Sequence, residues 1–152
     1  MGSQGLTAIV KIRPGRVEDA GDIARLAGQL GYPSISSEIE QRLETLSAKR
    51  DNVILVAESP EAGVVGWIHI AGTYFVEEEA VAEIGGLVVD EATRSAGIGQ
   101  ALLRAAEDWA KDYGFKILRV HSNVLRERAH IFYERHGFQV AKQQKVFIKR
   151  LD

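Results

Sequence analysis

Apolar positions recur along the chain with two periods, and the switches between them mark its elements. Alternation over residues 8–13, closed by Pro14 and Gly15, predicts a first strand. Ile23, Leu26, Ala27 and Leu30 then fall on one helical face, and Gly31-Tyr32-Pro33 ends that helix. Ser36 or Ser37 is placed to cap a second helix, whose apolar face is Ile39, Leu43 and Leu46. Strand signals follow over residues 53–57, 63–75 and 80–89. In the second of these, Val65, Trp67 and His69 alternate with Gly66, Ile68 and Ile70. In the third, Gly85-Gly86 predicts a bulge or a place where another backbone or a ligand comes close. Ile98, Leu102, Ala105, Ala106, Trp109 and Tyr113 keep a helical stripe from near Gly97 to Gly114. A strand over 116–121, a short helix over 127–136 closed by Gly137, and two short strands near 138–141 and 146–151 complete the chain.

The predicted order is β-α-α-β-β-β-α-β-α-β-β. Short connections make the middle strands antiparallel. The β-α-β unit over residues 80–121 should be parallel and right-handed. The expected fold class is therefore α/β (α+β), a mixed sheet with helices on both faces. The length of 152 residues fits one domain, 1–152, and 45 % apolar residues can build a core.

Charge and cysteine content narrow the function classes. Nineteen Lys and Arg against 21 Asp and Glu give a net charge of -2, which speaks against a nucleic-acid partner. The absence of Cys removes disulfides, thiolate metal sites and a Cys nucleophile. It is compatible with a reducing compartment, and a cytoplasmic location is expected. No apolar run reaches 18 residues and the start has no signal-peptide pattern, so no membrane association is expected.

The most informative segment runs from Leu87 through Asp90 to Leu103: a strand, a tight turn and a long helix. Gly97 and Gly99 carry no side chains, so main-chain N–H groups can approach a ligand closely. The opening turn of a helix has unpaired donors and a positive dipole end, which suit a pyrophosphate. Glycines at such a turn also serve tight packing alone. Two rival phosphate motifs lose ground. A P-loop needs Gly-Lys-Ser/Thr, and Gln100 follows Gly99. A dinucleotide fingerprint needs a third Gly or Ala where Leu102 stands, and a carboxylate after the next strand, where the sequence reads His121-Ser122-Asn123.

Arg94-Ser95-Ala96-Gly97-Ile98-Gly99 resembles the R/Q-x-x-G-x-G/A signature of the GNAT superfamily of N-acetyltransferases. Ala129-His130-Ile131-Phe132-Tyr133-Glu134-Arg135-His136-Gly137-Phe138 resembles its A-x-x-F-Y-E-x-x-G-F segment. The resemblance implies a GNAT fold, with a mixed sheet of six to seven strands, about four helices and a splayed parallel pair in the middle. It implies that acetyl-CoA, without a metal, lies in that splay. Backbone groups of Leu87, Val88 and Val89 would pair with the pantetheine arm and the acetyl carbonyl. The amides of Arg94, Ser95, Ala96, Gly97, Ile98, Gly99 and Gln100 would hold the pyrophosphate. Asn123, Arg126, Ala129 and Phe132 would complete the cofactor contacts. One departure is that Arg126 stands where many members place an Asn.

By the same resemblance Tyr133 donates a proton to the departing thiolate; a phenol near pKa 10 keeps its proton at neutral pH. Glu83, eleven residues before Arg94, is the candidate base for the attacking amine. His69, His121 and Ser122 are weaker candidates. The acceptor would be a small-molecule amine or a protein amino group, and a homodimer is compatible with the reading. The competing reading is a non-catalytic acyl-CoA-binding sensor on the same fold, which needs the glycine turn but neither Tyr133 nor Glu83.

Overall fold

The computed structural model of the chain describes residues 10–93 and 97–152. They contain strand β1 (Lys11–Pro14), a short turn of 3-10 helix (Val17–Asp19), helices α1 (Ala20–Leu30) and α2 (Ser36–Ser47), strands β2 (Asn52–Ser59), β3 (Gly63–Phe75) and β4 (Glu78–Val89), a second 3-10 turn (Glu91–Thr93), helix α3 (Ile98–Asp112), strand β5 (Leu118–Val120) and helix α4 (Glu127–Arg135). The chain forms two compact units, Met1–Val120 and His121–Asp152.

The first unit holds a five-stranded sheet in the order β1-β2-β3-β4-β5. Its first four strands are antiparallel neighbours. β4 and β5 are parallel, with Ala82 opposite Leu118, Glu83 opposite Arg119 and Ile84 opposite Val120. α3 is the crossover between them, as the β-α-β expectation requires.

Alternation along β3 divides the helices between the two faces. Gly66 faces α3 so closely that a Cβ there would lie 3.1 Å from Leu102 Cδ1. Trp67, the next residue, faces the other way, and its ring and the Leu30 side chain of α1 both meet the position of a Gly86 Cβ. Ile23, Leu26, Ile39 and Leu43 bring α1 and α2 together over this second face with Val56, Val64 and Val88. Leu26, Ile68, Ile70 and Leu102 are fully buried. Each such side chain contributes about 1.5–3 kcal/mol relative to exposure.

A buried ion cluster ties β1 to this core. Arg13 donates to both carboxylate oxygens of Asp19 at 2.9 Å and to Glu58 at 3.2 Å. The Arg13 hydrogen bond outweighs burial and holds the Asp19 carboxyl below its ordinary value.

Three expectations need correction. The parallel pair lies at the end of the sheet rather than in its middle, because β5 is the last strand in the order. The described residues form five strands rather than six or seven. Residues 138–141 and 146–151 are assigned no strand among the described residues, and within their own unit Val140, Val146, Phe147, Ile148 and Leu151 are exposed. Apolar pattern supplies a face for a strand but not the partner whose backbone must pair with it. The first strand begins at Lys11, residues 8 and 9 lying outside the described residues.

Candidate active site

The turn from β4 into α3 is built around Asp90. Its backbone N–H donates to Val65 O at 2.8 Å, closing the end of the β3–β4 ladder. Its carboxylate accepts from Arg25 at 2.9 Å, from Gln29 at 3.3 Å and from the Ala92 N–H at 3.2 Å. Burial works to raise the Asp90 pKa, yet the Ala92, Arg25 and Gln29 hydrogen bonds together hold it below the ordinary carboxylate value. Gln29 also accepts from the Glu91 N–H at 3.0 Å. The end of α1 is thus tied to the turn that leads to the glycine segment.

Arg94, Ser95 and Ala96 lie outside the described residues. Gly97 takes φ 81°, a left-handed conformation that favours glycine, and it caps α3 without a side-chain hydrogen bond. Among the described residues, the Ala101 N–H donates to Gly97 O at 3.1 Å. The N–H groups of Ile98, Gly99 and Gln100 precede it, where a helix supplies no carbonyl partner. Ile98 is buried against the sheet and fixes this helix end.

β4 continues past the last residue that β5 pairs. β5 ends opposite Ile84, while β4 runs on through Gly85 and Gly86 to Val89. In an antiparallel ladder successive residues direct their amides to opposite edges. Asp90 bonds to β3, so Val88 and Gly86 also point to β3. Leu87 and Val89 present their N–H and C=O groups to the edge away from β3.

The register of β3 and β4 shifts between His69 and Ile70. His69 pairs with Gly86 and Ile70 with Ile84, which leaves Gly85 as the bulged residue that the double glycine predicts. A Cβ on Gly85 would lie 3.3 Å from His69 Nδ1, and one on Gly86 would lie 2.9 Å from the Trp67 ring. Both glycines therefore keep β4 open beneath two β3 side chains.

Glu83 lies on the same face as His69, because it pairs with Ala71 two residues further along β3. It is engaged: Arg119 of β5 donates to Glu83 at 2.9 Å and to Glu78 at 2.9 Å. Sequence reading did not single out Arg119, which becomes visible only when the parallel register places it beside Glu83. His69 is half-buried, and burial pushes its imidazole pKa down. Its Nε2 and the Trp67 Nε1 are buried without a hydrogen-bond partner among the described residues.

The second unit carries α4 and the residues expected around it. Asn123 Oδ1 accepts from the Leu125 N–H at 2.9 Å, and its carbonyl accepts from the Arg126 N–H at 3.0 Å. Its acceptor oxygen therefore serves the turn before α4, and the carbonyl also lies 2.9 Å from His130 Nε2. Arg126 is the N-cap residue of α4 and is exposed. Ala129 and Phe132 are partly buried. The Tyr133 ring packs edge-on against Phe132 and Phe138, with centroids 5.3 Å away in each case. Burial raises the Tyr133 pKa, and the nearby Arg126 charge opposes it.

Residues 23–138, more than half of the chain, match the model of the Acetyltransferase (GNAT) family. The chain belongs to that family. A GNAT relative in Bacillus subtilis (strain 168), the uncharacterized N-acetyltransferase YhfO, is 28 % identical over 86 % of this chain and 90 % of its own length. Aminoglycoside N(6')-acetyltransferase type 1 of Stenotrophomonas maltophilia is 26 % identical, with 90 % of each chain covered. Among solved structures, the aminoglycoside acetyltransferase AAC(6')-Iy in complex with the bisubstrate analogue CoA-S-monomethyl-acetylneamine superposes with a TM-score of 0.80. It is 15 % identical and aligns over 93 % of this chain and 99 % of its own. That likeness is one of GNAT fold.

The GNAT fold accounts for the joint presence of the bulged β4 and the glycine-led α3. Together they offer neutral main-chain donors along an edge and at a helix mouth. Such donors suit an amide-containing arm followed by a diphosphate. No helix among the described residues is long and apolar enough to cross a membrane.

Proposed function

We propose that the protein transfers the acetyl group of acetyl-CoA to a primary amine by direct attack in a ternary complex. The observation that carries this is the glycine-led start of α3, which follows a β4 edge unpaired by β5 at Leu87 and Val89. The diphosphate would be held by the N–H groups of Gly97, Ile98, Gly99 and Gln100, with Arg94, Ser95 and Ala96 extending the cradle. Asn123, Arg126, Ala129 and Phe132 would add cofactor contacts from the second unit.

The reaction needs an oxyanion donor, an acid and a base. An N–H on the outer edge of β4 would polarise the thioester carbonyl, a role worth about 3–4 kcal/mol in comparable sites. As the amine nitrogen attacks, the carbonyl oxygen takes up charge; the C–S bond then breaks. Tyr133 would give its proton to the leaving thiolate. Its raised pKa supports this, because the phenol stays protonated throughout the neutral range. The amine's proton would leave on the β3–β4 side, where Glu83 is a candidate acceptor despite its bridge to Arg119.

The acceptor class favoured here is a small-molecule amine. The relatives named as aminoglycoside acetyltransferases support it, since they match over nine-tenths of this chain or more. The test is CoA thiol release from acetyl-CoA with a panel of primary amines that includes aminoglycosides. Amine-dependent thiol release is expected. A protein that binds acetyl-CoA and releases no thiol with any amine would instead be the acyl-CoA sensor.

A further inference from the structure

We propose that His69, rather than Glu83, accepts the proton of the attacking amine. The proposal rests on the acetyltransferase reading and names a residue for a step which that reading leaves open.

Geometry comes first. His69 sits on β3 directly opposite Gly86, at the register shift between His69 and Ile70 beside the unpaired β4 edge. The bulged Gly85 lies under Nδ1 and leaves room for the ring. On the same face, Trp67 and Leu30 of α1 converge on Gly86. The ring therefore lies over the bulge of the strand proposed to carry the thioester, on the face that packs α1.

The state of the ring is the second observation. Nε2 is buried and has no partner among the described residues. A buried polar nitrogen left unpaired costs about 1–3 kcal/mol, so its retention calls for a ligand group that pairs with it. The groups around it do not supply a counter-charge on the adjacent rung. Ile54 of β2 and Gly86 of β4 flank His69, and α1 presents Ile23, Leu26 and Leu30 to this face. The nearest ionised groups along the β4 face are Glu83 and its partner Arg119, beside Ala71. Burial lowers the imidazole pKa and keeps the ring neutral, ready to accept a proton near neutral pH.

Glu83 is the weaker acceptor for a structural reason. Protonating it would break the charge-assisted bond to Arg119 and leave that guanidinium with Glu78 alone. Protonating His69 breaks no hydrogen bond of Nε2 among the described residues.

The step balances as follows. An N–H bond of the substrate ammonium breaks and its proton passes to His69 Nε2. The freed lone pair forms the C–N bond to the acetyl carbon. The C–S bond breaks, and the thiolate takes the phenolic proton of Tyr133. Imidazolium then releases its proton to solvent, and the second N–H proton of the acylated nitrogen passes to tyrosinate, which leaves the neutral amide. One proton is produced for each amide formed.

The experiment uses wild-type protein, His69→Gln, His69→Ala and Glu83→Gln, assayed for thiol release with acetyl-CoA and the best amine of the panel. The His69 variants should lose kcat by about 10²–10⁴-fold. Their KM for acetyl-CoA should stay within about threefold of wild type, as expected for a residue that acts on proton transfer and not on cofactor binding. Added imidazole should restore part of the kcat of His69→Ala, which a merely structural ring would not allow. A Glu83→Gln that loses kcat while His69→Gln keeps it would overturn the proposal. Full kcat in His69→Gln would overturn the proposal, as would a His69→Ala that binds acetyl-CoA normally yet gains nothing from imidazole. A wild-type protein without turnover on any amine would sink the acetyltransferase reading itself, and the role of His69 with it.

Discussion

Gln29 and Asp90 join the end of α1 to the start of the turn that leads into α3. The Gln29 amide donates to the Asp90 carboxylate at 3.3 Å, and its oxygen accepts the neighbouring Glu91 N–H at 3.0 Å. One side chain thus sets both the carboxylate and the backbone of the turn before α3. Replacing it by Leu leaves the Glu91 N–H without this partner. A destabilisation of about 1 kcal/mol is expected from the lost hydrogen bonds. Acetyl-CoA KM should rise several-fold while kcat with saturating cofactor changes less. Steady-state kinetics at varied acetyl-CoA check this; an unchanged KM would mean that the turn does not depend on Gln29.

The Arg13 cluster makes a stability prediction away from the site. Arg13 and Asp19 side chains are each about 10 % exposed and meet through two hydrogen bonds. Arg13→Ala leaves the buried Asp19 carboxylate with the Arg16 N–H at 2.7 Å but without its ion-pair partner, which should cost about 3 kcal/mol in urea unfolding. Glu58→Gln should cost far less, because Glu58 is 42 % exposed and Arg13 keeps Asp19.

His69 makes stability depend on pH with a definite sign. Its pKa is lowered by burial from the ordinary 6.5, so the unfolded chain binds the proton more readily. Its contribution is fully present above about pH 6.5 and is lost as pH falls toward the lower folded value. Unfolding free energies between pH 5 and 8, wild type minus His69→Gln, should therefore fall on the acid side. A difference that is flat across this range would show that the ring is not held neutral by burial.

Gly86 is tested by adding one methyl group. A Cβ there would lie 2.9 Å from the Trp67 ring, so ring or strand must move. Gly86→Ala should cost about 1–3 kcal/mol and reduce turnover by shifting β4. Thermal unfolding and thiol release check the two parts. Ala at Gly28, which has open space around it, is the control and should leave both nearly unchanged.

The sequence makes much of this site visible, and for a physical reason. Helical and strand periods are local, so α1, α2, α3 and α4 lie near their predicted positions. The double glycine at 85–86 marks the bulge because only a local backbone need explains it. Pairings between distant segments are different. Arg119 reaches Glu83 through a parallel register, and Gln29 reaches Asp90 through helix packing, which no local period encodes. Residues 146–151 differ in the converse way: Val146, Phe147 and Ile148 have strand-like composition, yet the described residues assign them no strand.

The central claim is that acetyl-CoA lies along the outer edge of β4 with its diphosphate at the mouth of α3. Titrating ¹⁵N-labelled protein with acetyl-CoA and following the assigned amide resonances tests this directly. The largest shifts should fall on Gly97, Ile98, Gly99 and Gln100, with Leu87 and Val89 following, at cofactor concentrations between about 1 µM and 1 mM. Stationary resonances for all six amides through saturating acetyl-CoA, in protein that remains folded, would contradict it.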